Sequence, residues 1–216
     1  MKIAKTVLGA ALIAVCGAAH ATTFQFDTDP FAGFNVLNVP GRQIVGGESF
    51  VNFSIATDLF SMDSTVFGVG NSVQFVNAPA SLLPGSGVNI VVLENFDDDN
   101  NPLTPFGASN AANLIASKVH TPEPGFFVYF NESLDLPRLV YSSDLSSTDS
   151  DLRILARILN LNGQLGRDAM PNFTAANFAL TTSAAAAPEP STVLMILLGI
   201  GSGCLAQRRR RGSTLV

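Results

Sequence analysis

The chain has 216 residues, 47% of them hydrophobic, and a formal net charge of −5, which suffices for one sizeable core and one folded domain. Six of its twelve basic residues, Lys2, Lys5 and Arg208 to Arg211, lie at the two ends, so the stretch from Thr22 to Ala187 holds sixteen acids against six bases; that net charge of −10 disfavours nucleic acid as a partner. The same stretch lacks cysteine and tryptophan and has one histidine, His120. A disulfide framework, a zinc site with two or more His or Cys ligands, and a Cys-His triad are thereby excluded from it.

The first element is a leader. Lys2 and Lys5 form a positive region, Val7 to Cys16 is an apolar run, and Ala19-His20-Ala21 places small side chains at the two positions that determine cleavage. Residues 1–21 therefore read as a signal peptide cut before Thr22. A lipoprotein leader ending at Cys16 is the competing form, although Val15 stands where such a leader carries Gly, Ala or Ser. Either form exports the chain.

Residues 22–183 read as one acidic, mainly β domain. Phe, Val, Asn, Ser and Thr dominate it, and Pro40-Gly41, Gly46-Gly47, Pro84-Gly85 and Pro124-Gly125 mark turns. The expected strands are Thr23 to Phe26, Ser49 to Ala56, Val66 to Phe75, Val88 to Glu94, Phe126 to Asn131, Leu136 to Ser142 and a last one near Asn177 to Thr181. In the second of these, Val51, Phe53 and Ile55 alternate with Phe50, Asn52 and Ser54 and should face the core. Ala108 to Lys118 fits a short helix capped by Ser109. Leu152 to Leu159 fits either a strand hairpinned to Leu136 to Ser142 across a Ser/Asp-rich turn, or a helix with its arginines on one face. The architecture these elements suggest is an antiparallel β-sandwich of the jelly-roll or immunoglobulin-like type. An echo between Thr57-Asp58-Leu59 and Ser143-Asp144-Leu145, each after an expected strand, fits a shared kind of strand-end turn.

Candidate chemistry in this domain is sparse. Asp97, Asp99 and Asn101, within Asp97-Asp98-Asp99-Asn100-Asn101, cluster hard oxygen ligands of the kind calcium takes. Pro102 and Ala108 nevertheless occupy the positions at which an EF-hand loop needs Gly and Glu, so a solvated acidic loop competes with a calcium site. No other cofactor is expected. His120 has no nucleophile motif beside it, and Gly85-Ser86-Gly87 lacks the spacing of a nucleophile elbow. The domain is thus not expected to be an enzyme.

From residue 184 the composition changes. An alanine linker leads to Pro188-Glu189-Pro190, then to an apolar run from Val193 to Ala206, then to Arg208, Arg209, Arg210 and Arg211. The prolines keep the segment extended and within reach of a protease. The arginines hold the cytoplasmic side and orient the domain outward. The run of fourteen residues would reach roughly 21 Å as a helix, short against a hydrocarbon core of about 30 Å. A transmembrane segment of that length suits a substrate awaiting cleavage.

These three parts in this order resemble the PEP-CTERM sorting signal. The resemblance covers about 25 residues of the 184–216 segment. It implies removal of the tail by an exosortase, a membrane-embedded cysteine transpeptidase-like enzyme, in a Gram-negative bacterium that makes exopolysaccharide. The expectation is an exported protein, held transiently at the inner membrane and then placed at the cell surface or in the extracellular matrix with exopolysaccharide, in a structural or binding role. The alternative is a secreted glycan-acting enzyme.

Overall fold

The computed structural model describes residues 21–32, 43–44 and 46–182. Residues 1–20 of the expected leader and all of the tail lie outside these. The elements in chain order are β1 (Thr23–Phe26), β2 (Gln43–Ile44), β3 (Ser49–Val51), β4 (Leu59–Asp63), α1 (Ser64–Phe67), β5 (Phe75–Ala78), β6 (Ile90–Leu93), α2 (Ala108–Ala116), β7 (Gly125–Asn131), β8 (Leu136–Ser142), β9 (Leu152–Ile158), α3 (Gly163–Ala169) and β10 (Phe178–Thr181). The domain is mainly β, with one small parallel sheet and one larger mixed sheet.

Hydrophobic patterning explains the layers. In β6, Ile90-Val91-Val92-Leu93 is apolar without alternation, and β7 buries every residue from Gly125 to Asn131. Strands that read as continuous apolar runs are covered on both faces, as in parallel sheets. One face contributes Ile90, Val92, Phe126, Val128 and Phe130 to a cluster with Phe60, Met62 and Phe178 of β4 and β10. The other face packs Val91, Leu93, Phe127 and Tyr129 against Ala108, Ala111, Ala112 and Ile115 of α2.

Strand order is β1-β4-β10 in a three-stranded sheet and β2-β9-β8-β7-β6-β5 in a seven-stranded one, with β3 also on β9. The expectation of an antiparallel jelly-roll or immunoglobulin-like sandwich is corrected here. Among the described residues, antiparallel pairing is confined to β7 with β8 and β8 with β9. Every other pairing is parallel, from β1 and β10 flanking β4 to β5 on β6 and β6 on β7. The physical reason is the connection between β6 and β7, which is long enough to hold α2 and so allows a crossover between parallel neighbours.

The strands expected at Thr23–Phe26 and Leu136–Ser142 form with those bounds, and Leu152–Ile158 is a strand hydrogen-bonded antiparallel to β8. Three expectations need correction. Ser49 to Ala56 pairs only through Val51, although Val51 and Phe53 are buried and Phe50, Asn52 and Ser54 exposed as the alternation requires. Val66 to Phe75 is not a strand: the Asp63 carboxylate accepts from the N–H groups of Thr65 and Val66 at 2.8 and 3.1 Å and starts α1, which Gly68 ends at φ +66°. Helix α2 is capped by Gly107, whose N–H donates to Asn110 Oδ1 at 3.1 Å, rather than by Ser109.

Aromatic packing ties the sheets together. Phe53 and Phe60 stack with centroids 4.2 Å apart, Phe173 stacks on Phe53 at 5.8 Å, and Phe24 and Phe178 tilt around the pair at 5.9–6.1 Å. Tyr141 belongs to the same core, in edge contact with Phe67 at 5.0 Å, and its hydroxyl donates to the Phe67 carbonyl at 2.9 Å. Burial, with a smaller contribution from the Asp29 charge, pushes its hydroxyl up to about 12. An alkaline titration followed by tyrosinate absorbance should therefore show Tyr141 un-ionised at pH 10. Because the folded state holds this proton more tightly than the unfolded chain, the Tyr141 contribution is complete below about pH 10 and is lost as pH rises towards 12. Ionisation of Tyr141 near pH 10 in the folded protein would contradict its burial.

Candidate functional site

The acidic loop lies between β6 and α2. Asp97, Asp98 and Asp99 are all exposed, with one carboxylate oxygen from each inside a 4.8 Å group. The loop folds on its own carboxylates. Asp97 Oδ1 accepts from the N–H groups of Asp99 and Asn100 at 3.0 and 3.1 Å, and Asn101 Oδ1 accepts from Leu103 N–H at 3.1 Å. Asp99 takes the Asn101 N–H at 2.8 Å and the Thr104 hydroxyl at 2.7 Å; the hydroxyl is the leading cause holding Asp99 below the usual carboxylate range, followed by the Asn101 N–H. Asn100, at φ +56°, turns the chain between them. Asp97, Asp99 and Asn101 are thus brought into one loop, where their oxygens act as turn acceptors. A cation there would compete with those turns.

His120 is an exposed loop residue whose N–H donates to the Gly85 carbonyl at 2.8 Å. The small three-stranded sheet presents a polar outer side, since Phe24, Phe60, Met62 and Phe178 point to the core. An open groove there is lined by Gln25, Asp27, Ser61, Asp63 and Thr181.

A buried charge cluster, not anticipated as a unit, lies where β3 meets β9. Glu48 pairs with Arg157, and its Oε2 is 3.7 Å from Arg138 Nη2; the side chains of Glu48 and Arg138 are 4% and 5% exposed. Arg138 and Arg157 face each other across β8 and β9, and Arg157 also lies over the Phe50 ring at 5.4 Å. Alternation of the arginines along Leu152 to Leu159 was the only sequence signal for this cluster.

Just before β1, the N–H of Thr22 donates to Asp58 Oδ1 at 2.9 Å, and the Thr22 carbonyl accepts from Leu59 N–H at 2.9 Å. Asp58 is 5% exposed. Its Oδ2 accepts from Ser54 N–H at 2.9 Å, and its Oδ1 also takes the Thr57 hydroxyl at 3.0 Å. Burial pushes this carboxyl up, but the N–H groups of Ser54 and Thr22 and the Thr57 hydroxyl outweigh it and hold Asp58 below the usual carboxylate range. The echo segment differs in detail, since Asp144 accepts from Ser146 N–H and its hydroxyl, both at 2.8 Å, in a local turn.

The chain enters the tail directly from β10, which ends at Thr181 on Asp63 of β4. Pro188, Glu189, Pro190 and Arg208 to Arg211 lie outside the described residues, as does Ala19; Ala21 is exposed coil. A family model for the PEP-CTERM protein-sorting motif matches residues 186–211. The chain carries a PEP-CTERM sorting motif. This PEP-CTERM match takes in the Pro-Glu-Pro element, the apolar run and all four arginines, and it implies export, C-terminal sorting and exosortase processing. No curated protein and no solved structure matches the chain. Among the described residues no helix is long and apolar enough to cross a membrane; the sorting helix expected at 193–206 lies outside them.

Proposed function

We propose that this is an exported, exosortase-processed surface or extracellular-matrix protein with a structural or binding role in exopolysaccharide. The observation that carries the reading is the PEP-CTERM motif over residues 186–211. In this reading the leader is cut after Ala21, the tail holds the precursor at the inner membrane, and cleavage near Pro188-Glu189-Pro190 frees the domain. The acidic middle suits a hydrated polymer layer by keeping the domain soluble and self-repelling. The open polar groove on the three-stranded sheet supports binding, because the exposed Gln25 amide, Asp27 carboxylate and Thr181 hydroxyl match the donors and acceptors of a sugar chain, over a floor where Ser61 and Asp63 are buried. The two sheets facing one another across the phenylalanine core support a sandwich of one parallel and one mixed sheet rather than two antiparallel ones.

Intact mass of the protein released by its native host tests this. The expected species begins at Thr22 and lacks Arg208 to Arg211, and it disappears when the host's exosortase is deleted. Release of a chain retaining the four arginines would overturn the proposal.

A further inference from the structure

Thr22 is held by both of its backbone polar groups. Its N–H rests on a buried carboxylate, its carbonyl on the Leu59 N–H, and β1 begins at the next residue. The third strand of the sheet ties into the same point: Asn177, just before β10, donates to the Asp58 carbonyl at 3.1 Å and to the Ile55 carbonyl at 2.7 Å. All three strands of the β1-β4-β10 sheet thus start around Asp58.

In the precursor the Thr22 nitrogen is a neutral amide. Hydrolysis of the Ala21–Thr22 bond consumes one water: its oxygen stays on Ala21, which leaves as a carboxylate, and both its protons end on the Thr22 nitrogen, which becomes an α-ammonium. We propose that Asp58 is the receptor for this ammonium group, so that leader removal converts a neutral hydrogen bond into a buried-carboxylate ion pair and seats the mature N-terminus at the start of the small sheet. The inference rests on the proposed cleavage after Ala21.

The geometry requires no rearrangement, since donor and acceptor are already 2.9 Å apart. The residues contacting the Asp58 carboxylate or backbone, Thr22, Ser54, Thr57, Leu59 and Asn177, bring no titratable side chain, so the ammonium meets the carboxylate without a competing side-chain cation among them. Charge-assisted hydrogen bonds are roughly twice as strong as neutral ones. The sign follows. The paired α-amine keeps its proton above the ordinary range of about 7.7–8.0, and its contribution to stability is complete below that range and lost as pH rises through the raised value. Cleavage one residue earlier would leave a neutral N–H at Asp58 and the charge in solvent.

The test uses the full precursor exported with its own leader. After the N-terminus is read by mass, competitive acylation of the α-amine is followed against pH. With Thr22 first, acylation at neutral pH should be about tenfold slower for each unit by which pairing raises the amine, and Asp58→Asn should restore the ordinary rate. A second variant leaves Asp58 intact: a serine inserted between Ala21 and Thr22 moves the amine one residue out, and its titration should return to the ordinary range. A Thr22 amine that titrates ordinarily in the wild type, or identically in the insertion variant, overturns the pairing alone. A mature chain beginning elsewhere overturns the cleavage reading and the pairing with it.

Discussion

Replacing Pro188-Glu189-Pro190 by three alanines is expected to leave the precursor inserted with its domain outward and to cut its release by about a hundredfold, the factor that corresponds to losing roughly 3 kcal/mol of recognition. The prolines fix φ and remove two backbone donors, so the element stays extended and cannot join a ladder. Alanines favour helix and would let the apolar segment propagate towards the domain. Only six residues, 182–187, separate Thr181 from Pro188, so the element can lie no more than roughly 25 Å from the sheet edge even when fully extended. A processing enzyme must work close to the folded surface, where a helical segment presents no accessible strand. Neutralising Arg208 to Arg211 should act at a different step, because in the proposed reading the charge cost of crossing a bilayer gives the arginines orientation and retention rather than cleavage. Fractionation combined with intact mass separates the two: uncleaved precursor in the inner membrane for the alanine variant, mislocalised or misoriented precursor for the arginine variant. Release of both at the normal rate and size would refute the sorting function of the tail.

Glu48→Gln should be among the most destabilising single changes in the domain, by about 3–5 kcal/mol, the cost of breaking a buried pair from one side. The glutamate is 4% exposed and balances two guanidinium groups, Arg138 at 5% and Arg157 at 24%. Because those arginines are cross-strand partners, loss of the carboxylate leaves two like charges facing each other away from water. It also releases β3 from β9, which Glu48 precedes by one residue. Denaturant unfolding should show the loss in the midpoint, and the melting temperature should fall by roughly 10 °C. Glu132→Gln is the matched control. Its pairing with Arg167 at 3.8 Å is about one-third exposed, and the change should cost about 0–1 kcal/mol. Equal effects from the two substitutions would show that burial of the Glu48 cluster does not govern its strength.

Close packing at glycine marks another constraint on the same sheet. A Cβ at Gly125 would come within 2.5 Å of Leu145 Cδ1 and 2.7 Å of the Asn89 carbonyl. Pro124-Gly125, read from the sequence as a turn signal, is therefore also the point at which β7 enters beside the loop carrying Leu145.

What the sequence determined by itself is whatever is written locally. The sorting tail is a linear order of parts, each with its own physical role, and it is legible without a fold; the family match falls on those parts. Strands β1 and β8 were legible with their bounds, and β9 as the partner of β8, because a short polar turn joins neighbours that pair antiparallel. The burial alternation of Val51 and Phe53 was legible as well. The tertiary structure decided the pairings that join distant segments. β1 and β10 lie parallel on β4 across the length of the domain, and no local pattern encodes which short Phe-containing strand accepts which. It also decided the direction of β5, β6 and β7: the continuous apolar runs of β6 and β7 record burial on both faces but not the polarity of their neighbours. The roles of Asp58 and Glu48 were decided in the same way, since a carboxylate's function depends on which distant N–H or guanidinium the fold brings to it, and that is a property of three-dimensional contact rather than of sequence order.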